Sequence, residues 1–163
     1  MVTPEAVEVA REILDHESRS LVRYVIEVSK SPVVGGRDPD ALSRLGDLYR
    51  ESDIGLSCLR DLLSEVASVP QGVRWSLSTT SYNFLRPIYL LRPVVEQTER
   101  SLGVVATLGA KLADAGWSEA AEVVRGMVER EREQLANLRR LGEEIGEIGI
   151  EAPQPKGTSA SRW

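Results

Sequence analysis

Apolar residues recur every three or four positions along four stretches of the chain, which is the spacing of an α-helix with one buried face. The first stretch carries this pattern through Val7, Ala10, Leu14, Leu21, Tyr24 and Val28. Prolines, glycines and runs of polar residues separate the stretches and favour turns. The sequence therefore predicts an all-α protein with four long helices.

Residues typical of helix ends give the bounds of these helices. Thr3 before Pro4, Asp38 before Pro39, and Ser118 are N-cap candidates, and Gly116 is suited to follow a helix end. The predicted helices are 4–30, 38–69, 87–114 and 118–147. They form one domain, residues 1–148, and residues 149–163 are expected to be a disordered tail because they are rich in proline, serine and glycine.

The connections differ in length, and this predicts the topology. The first and third connections are short, which makes the helices they join antiparallel neighbours. The second connection, residues 70–86, is long enough to return the chain along the height of the helices. A short, a long and a short connection together predict an antiparallel four-helix bundle with one crossover between helices two and three.

Three predicted helices carry a glutamate in the middle of their apolar face: Glu17, Glu99 and Glu131. Midpoints of equal antiparallel helices meet, so we expect these carboxylates in one layer. Glu96 and Gln134 lie one turn from this layer. On helix two the central residue is Ser52, and the neighbouring Glu51 either flanks the layer or is solvated. Carboxylates crowded in a core must be protonated, paired or bound to metal, whereas at the edge of the face they reach water.

The stretches that carry these residues are His16-Glu17, Glu51, Glu96-Gln-Thr-Glu99 and Glu131-Arg-Glu-Gln134. Their spacing resembles the rubrerythrin-like diiron carboxylate proteins of the ferritin-like superfamily, which place glutamates and two Glu-x-x-His motifs on four helices. The resemblance implies a ferritin-like fold and iron or manganese as the metal. It implies that the metal ligands are Glu17, Glu51, Glu96, Glu99, Glu131 and Gln134. The two family histidines are replaced, one by Ile54 and the other by Gln134.

The composition narrows the classes of partner. The net charge of −5 and a pI near 5.1 disfavour binding to nucleic acid or to anionic membranes. A single cysteine, Cys58, excludes an internal disulfide. The acidic N-terminal region is not typical of a signal peptide, so we expect a cytoplasmic protein. We also expect a homo-oligomer, with a dimer as the first candidate, and a protein partner is a second candidate.

Three functions stay open at this point. The first is a ferritin-like metal carboxylate protein, for which the resemblance implies reactions with O₂ or peroxide. The second is a ferritin-like scaffold without metal, which acts in oligomerisation or partner binding. The third is an unrelated helical bundle whose glutamates lie at the edges of the apolar faces. The sequence leaves open whether the protein is an enzyme.

Overall fold

A computed structural model describes residues 1–148 of the chain. Five α-helices and one 3₁₀ helix make up its secondary structure, and these residues contain no strand. The α-helices are α1 (Pro4–Ser18), α2 (Leu21–Glu27), α3 (Asp38–Ser64), α4 (Pro87–Asp114) and α5 (Ser118–Glu144), and the 3₁₀ helix covers Leu77–Tyr82. The all-α prediction is therefore confirmed. The predicted tail, residues 149–163, lies outside the described residues.

The first predicted helix is interrupted, so the prediction of one helix over residues 4–30 is wrong. Helix α1 ends at Ser18, and Ser20 has an extended backbone with ψ of 146°. In a continuous helix the N–H of Leu21 would bond to the carbonyl of Glu17. Here the side chain of Gln97, from α4, accepts that N–H at 3.2 Å. Serine favours such local departures from the helix, and Gln97 satisfies the N–H that the break frees.

Other helix ends differ from the prediction by a few residues. Helix α3 stops at Ser64, before residue 69, and in the turn that follows the carbonyl of Leu63 accepts the N–H groups of Val66 and Ala67. Helix α5 stops at Glu144, before residue 147, because Gly146 takes a left-handed backbone with φ of 78°.

The three predicted N-caps have different outcomes. Thr3 caps α1, since its hydroxyl accepts the N–H of Ala6 at 3.2 Å. Asp38 and Ser118 do not act as caps. They are the first residues inside α3 and α5, and the preceding residues, Arg37 and Trp117, hold the cap positions. The bonds of Asp38 go to other parts of the chain instead.

Contacts between helix ends give the directions of the helices. Thr3 at the start of α1 lies beside Ala115 after the end of α4, so α1 and α4 are antiparallel. Arg37 before α3 pairs with Glu144 at the end of α5, so α3 and α5 are antiparallel. Helix α4 also packs along α5, and α2 packs against both α3 and α4. The turn between α4 and α5 is short, which makes these two helices antiparallel as well.

Helices α3 and α4 run in the same direction, so the connection between them must be long enough to return the chain to the start of α3. The start of α4 lies beside the start of α3, because the carboxylate of Asp38 accepts Arg86 Nε at 2.8 Å and the N–H of Ile88 at 3.4 Å. The chain therefore returns along α3 between Ser64 and Pro87. This return segment contains the 3₁₀ helix.

Leucine and valine from all five α-helices fill the core. Helices α3 and α5 approach each other closely at Gly55, where an added Cβ would lie 2.4 Å from Cγ of Met127. None of the described helices has an apolar stretch long enough to cross a membrane. The core surrounds a small set of buried polar side chains near the middle of the helices.

Candidate functional site

Two carboxyl groups lie deep in the core at the level of the helix midpoints. Glu17 comes from the last turn of α1 and is 2% exposed, and Glu131 comes from the middle of α5 and is 3% exposed. Ser52 of α3 is also buried, and its hydroxyl lies near both carboxyl groups. Helix α4 contributes Thr98 and Ser101. Helices α1, α3, α4 and α5 thus each supply at least one buried polar group. We call these five residues the polar layer.

Hydrogen bonds connect Glu17 to the edge of the core. The hydroxyl of Ser101 donates to Oε1 of Glu17 at 2.6 Å. Nε2 of His16, which is half-buried, lies 2.9 Å from the same hydroxyl oxygen. A serine hydroxyl has one proton, so when Ser101 donates to Glu17 its oxygen accepts from His16. The direction of this chain of bonds therefore follows the protonation of Glu17 and the tautomer of His16.

Several atoms of the polar layer have no hydrogen-bond partner among the described residues. They are Oε1 of Glu131, Oγ of Ser52 and Oγ1 of Thr98, and all three are buried. Ser52 polarises both carboxyl groups and lowers the pKa of each, but its hydroxyl makes no bond of normal geometry. Buried polar atoms without partners are rare and costly, and they mark places where water or an ion binds.

Burial decides the protonation of the two carboxyl groups. It is the largest cause that raises the pKa of Glu17, and the hydrogen bond from Ser101 opposes it. Burial and then the charge of Glu17 raise the pKa of Glu131 to about 9. Two carboxylates in a medium of low dielectric repel each other, so at neutral pH the pair retains at least one proton.

A buried arginine supplies positive charge close to the pair. Arg23 of α2 is 5% exposed, and it forms ion pairs with Glu27 at 2.5 Å and with Asp53 at 2.9 Å. Its guanidinium also lies over the ring of Tyr49, 4.9 Å from the ring centroid. The charge of Arg23 lowers the pKa of both Glu17 and Glu131. The core therefore contains its own cation near the carboxyl groups.

The remaining predicted ligands lie away from the polar layer, and each glutamate among them pairs with an arginine. Glu51 is half-buried and lies 3.2 Å from Arg130. The side chain of Glu96 is 54% exposed and pairs with Arg92 at 2.9 Å. Each of these two carboxylates is thus paired with an arginine that is not part of the polar layer.

Glu99 and Gln134 also differ from the prediction. Glu99 was expected on the core face of its helix, but its side chain is 39% exposed and pairs with Arg139. Gln134 is half-buried, and its amide oxygen accepts Nδ2 of Asn137 at 3.4 Å. The neighbours of Glu99 on α4, Thr98 and Ser101, occupy the buried face instead. The structure thus brings together Glu17 and Glu131, but not the other four predicted ligands.

The sequence reasoning missed Thr98, Ser101 and Arg23. Helix α4 has apolar residues at both 94 and 95, and both are buried. Continuing the pattern from Val95 leads to Glu99, whereas continuing it from Val94 leads to Thr98 and Ser101. The pattern that starts from Val94 could therefore have been recognised from the sequence. Arg23 had no such signal, because five consecutive residues of α2, 21–25, are buried and no single apolar face marks them.

The described residues contain no group of three or more His, Cys, Asp or Glu side chains placed to hold a metal ion. Comparisons of the chain with protein-family models, with characterised proteins and with solved structures gave no match. The site must therefore be interpreted from its own residues.

Proposed function

We propose that this protein is a ferritin-like four-helix bundle whose core carboxyl pair holds a proton in place of a dinuclear metal centre, and that it acts as a non-catalytic scaffold. The helix directions support the bundle, with α1 and α2 counted as one interrupted helix. The return of the chain between α3 and α4 is the single crossover typical of ferritin-like proteins.

One observation carries the proposal: of the glutamates at the predicted ligand positions, only Glu17 and Glu131 share a site. A diiron carboxylate centre uses about four glutamates and two histidines. Here Glu51, Glu96 and Glu99 each bind an arginine. His16 is the only histidine of the chain, its Nε2 contacts Ser101, and it is not grouped with two acidic side chains in a metal-binding arrangement among the described residues. The donors of the polar layer do not fit two iron ions.

The surroundings of the pair support a proton as its neutralising partner. The pKa of Glu131 is raised to about 9 and that of Glu17 is raised as well, so the pair holds a proton at neutral pH. Arg23 lies nearby and lowers the pKa of both carboxyl groups, but Glu27 and Asp53 already balance its charge, so the pair itself still needs a proton. A buried acidic pair that shares a proton can be part of the core structure alone, without taking part in a reaction.

A scaffold acts through partners, and we extend the proposal to self-association into a homodimer. Large apolar side chains are exposed before and at the start of α4, among them Leu77, Phe84 and Tyr89. Such side chains supply the apolar area that subunit contacts use. Light scattering coupled to size exclusion tests this part, and a monomeric mass over a wide range of protein concentration contradicts it.

A second candidate function is supported by the atoms that have no partner. Oε1 of Glu131 and Oγ of Ser52 are buried and unpaired among the described residues. Together with Glu17 they offer a few oxygen donors. Oxygen donors without imidazole suit one hard divalent cation such as Mn²⁺, with Fe²⁺ next. The second candidate is therefore a protein that holds a single metal ion and lacks the dinuclear centre.

One experiment separates the two candidates. The metal content of the purified full-length protein is measured by elemental mass spectrometry, and its melting temperature is then followed during titration with Mn²⁺ and Fe²⁺. The variants are Glu131→Gln and, as the matched control at the surface, Glu99→Gln. The scaffold proposal expects no saturable rise in melting temperature in any form. A rise that Glu131→Gln abolishes and Glu99→Gln retains replaces it with the single-metal function.

A further inference from the structure

A polar cleft lies at the surface where α1 and α2 are interrupted. Its volume is about 400 Å³, and it is formed by the α1–α2 break, the return segment around the 3₁₀ helix, and α4. This volume is within the range of about 300–1,000 Å³ that small-molecule sites occupy. The cleft is separate from the polar layer, so its role is independent of the scaffold function proposed above.

Three hydroxyl groups meet on one side of the cleft. Oγ of Ser76 lies 2.5 Å from Oγ of Ser78 and 3.1 Å from Oγ1 of Thr79. Three hydroxyls have three protons, and the two contacts between them use at most two. At least one O–H is therefore free to donate to a bound molecule, and the oxygens also accept from hydroxyl groups of a ligand.

The side of the cleft formed by α4 and the α1–α2 break carries two arginines and an amide. Arg100 of α4 forms no ion pair with any residue in the described part of the chain, whereas Arg19 pairs with Asp15 at 2.6 Å. Oε1 of Gln97 accepts the N–H of Leu21, which leaves the NH₂ group of Gln97 as a donor. This side therefore offers donors and a guanidinium charge that no described carboxylate neutralises.

One acidic residue also lines the cleft, and its charge is already compensated. Glu96 pairs with Arg92, which lies outside the lining residues, at 2.9 Å. The charge that faces the cleft is therefore positive, with Arg100 as its main source. Guanidinium groups bind phosphate through two parallel charge-assisted hydrogen bonds, and hydroxyl and amide donors complete such sites.

From this arrangement we infer that the cleft binds the phosphate group of a small hydroxylated organic phosphate, such as a sugar phosphate. Arg100 binds the phosphate oxygens, with Arg19 and the NH₂ group of Gln97 beside it. The hydroxyls of Ser76, Ser78 and Thr79 face the hydroxylated part of the ligand. The three hydroxyls provide partners for the hydroxyl groups of an ester, which the free ion lacks, and this favours a phosphate ester over the free ion.

The test is a titration of the full-length protein with inorganic phosphate and with glucose 6-phosphate. Binding is followed by isothermal titration calorimetry and by amide shifts in NMR spectra. Sodium chloride keeps the ionic strength constant, because screening alone changes weak charge effects. We expect saturable binding of both probes, tighter for the ester, with shifts concentrated at residues 76–82 and 96–100.

Three variants make the test specific. Arg100→Gln should weaken binding about tenfold or more, the effect of losing a charge-assisted hydrogen bond. Glu96→Gln should tighten binding, since it leaves Arg92 without its acidic partner and so adds net positive charge beside the cleft. Arg140→Gln is the control, because Arg140 is an exposed arginine that lines a different cleft. Circular dichroism checks that each variant is folded.

Two results would overturn the inference. One is the absence of saturable binding by wild-type protein at millimolar concentrations of either probe. The other is an equal loss of affinity in Arg100→Gln and Arg140→Gln, which means diffuse attraction to surface arginines. Tighter binding of the free ion than of the ester retains the phosphate site but removes the sugar phosphate as its ligand.

Discussion

Glu17 and Glu131 bring their carboxyl groups together inside the core, and the charge of Glu17 adds to burial in raising the pKa of Glu131 to about 9. In the unfolded chain the same group has a pKa near 4.5. Between these two values the folded protein holds a proton that the unfolded chain has released. The carboxyl pair therefore links the stability of the fold to pH.

The first prediction concerns this link. The free energy of unfolding should fall as the pH rises from about 4.5 towards 9, since removing protons favours the unfolded chain over that interval. Glu131→Gln removes one of the two raised carboxyl groups, so it should reduce the slope, with Glu17 causing the remainder, and stabilise the protein at pH 8 by on the order of a few kcal/mol. Urea unfolding at several pH values measures both effects. Glu99→Gln is the control, and an equal change in it would contradict the explanation.

The second prediction concerns the break between α1 and α2. Gln97→Leu keeps a similar volume but leaves the N–H of Leu21, a buried residue, without its acceptor. The free energy of unfolding should fall by about 1–3 kcal/mol, the cost of an unsatisfied buried donor. Amide hydrogen exchange should accelerate at Leu21. Gln97→Glu retains the acceptor oxygen and should keep the protection of Leu21; equal exchange in both variants would show that this bond does not stabilise the break.

The helix ends show which parts of the fold the sequence could predict. Prolines near the start of α3 and α4, and Gly116 after α4, are local signals, and these bounds agree with the prediction within one residue. The break at Ser20 had no proline or glycine. The N–H that it frees is bound by Gln97, which is 76 residues away in sequence. Contacts between distant residues of this kind do not appear in the periodicity of one helix.

The candidate site also has a part that the sequence could predict and a part that it could not. Glu17 and Glu131 lie on single, unambiguous apolar faces, and their burial could be predicted from the spacing. On α4 the adjacent Val94 and Val95 allowed two phases, and the prediction followed the one that leads to Glu99. The structure buries Thr98 instead. The pairing of Glu99 with Arg139 involves two helices, so the pattern of either helix alone could not reveal it.

The third prediction concerns Asp38, which joins the starts of α3 and α4. Burial raises the pKa of this carboxyl group, but hydrogen bonds from Arg86, Val34 N–H and Ile88 N–H outweigh burial and lower it. A lowered folded-state pKa means that this stabilisation is present above the unfolded value of 3.8 and is lost as the pH falls through the folded-state value. Asp38→Asn should therefore lower the melting temperature at pH 7 and weaken its dependence on acid below pH 3.8.

Circular dichroism melts at neutral and acidic pH measure this effect. Asp40→Asn is the matched control, because Asp40 lies two residues further along α3 and its only described ion pair is the exposed one with Arg37. The explanation is wrong if the two variants lose the same stability at pH 7, or if Asp38→Asn keeps the full acid dependence of the wild-type protein.

The fourth prediction compares two glycines of α3. Alanine favours a helix over glycine by about 0.8–1.0 kcal/mol at either position, because it costs less backbone entropy. At Gly46 an added Cβ meets no atom within 4 Å, so Gly46→Ala should stabilise the protein by about that amount. At Gly55 the Cβ would lie 2.4 Å from Cγ of Met127, and overpacking of this kind costs about 1–3 kcal/mol.

Gly55→Ala should therefore destabilise the protein while Gly46→Ala stabilises it, as measured by urea unfolding of both variants. Both variants make the same substitution in the same helix. If their changes in unfolding free energy have opposite signs, the difference comes from the contact between α3 and α5. Adding Met127→Ala to Gly55→Ala provides the check, because it removes the atoms that the new Cβ would meet. The cost of Gly55→Ala should shrink in that background. If it does not, Gly55 is required for a reason other than the approach of Met127.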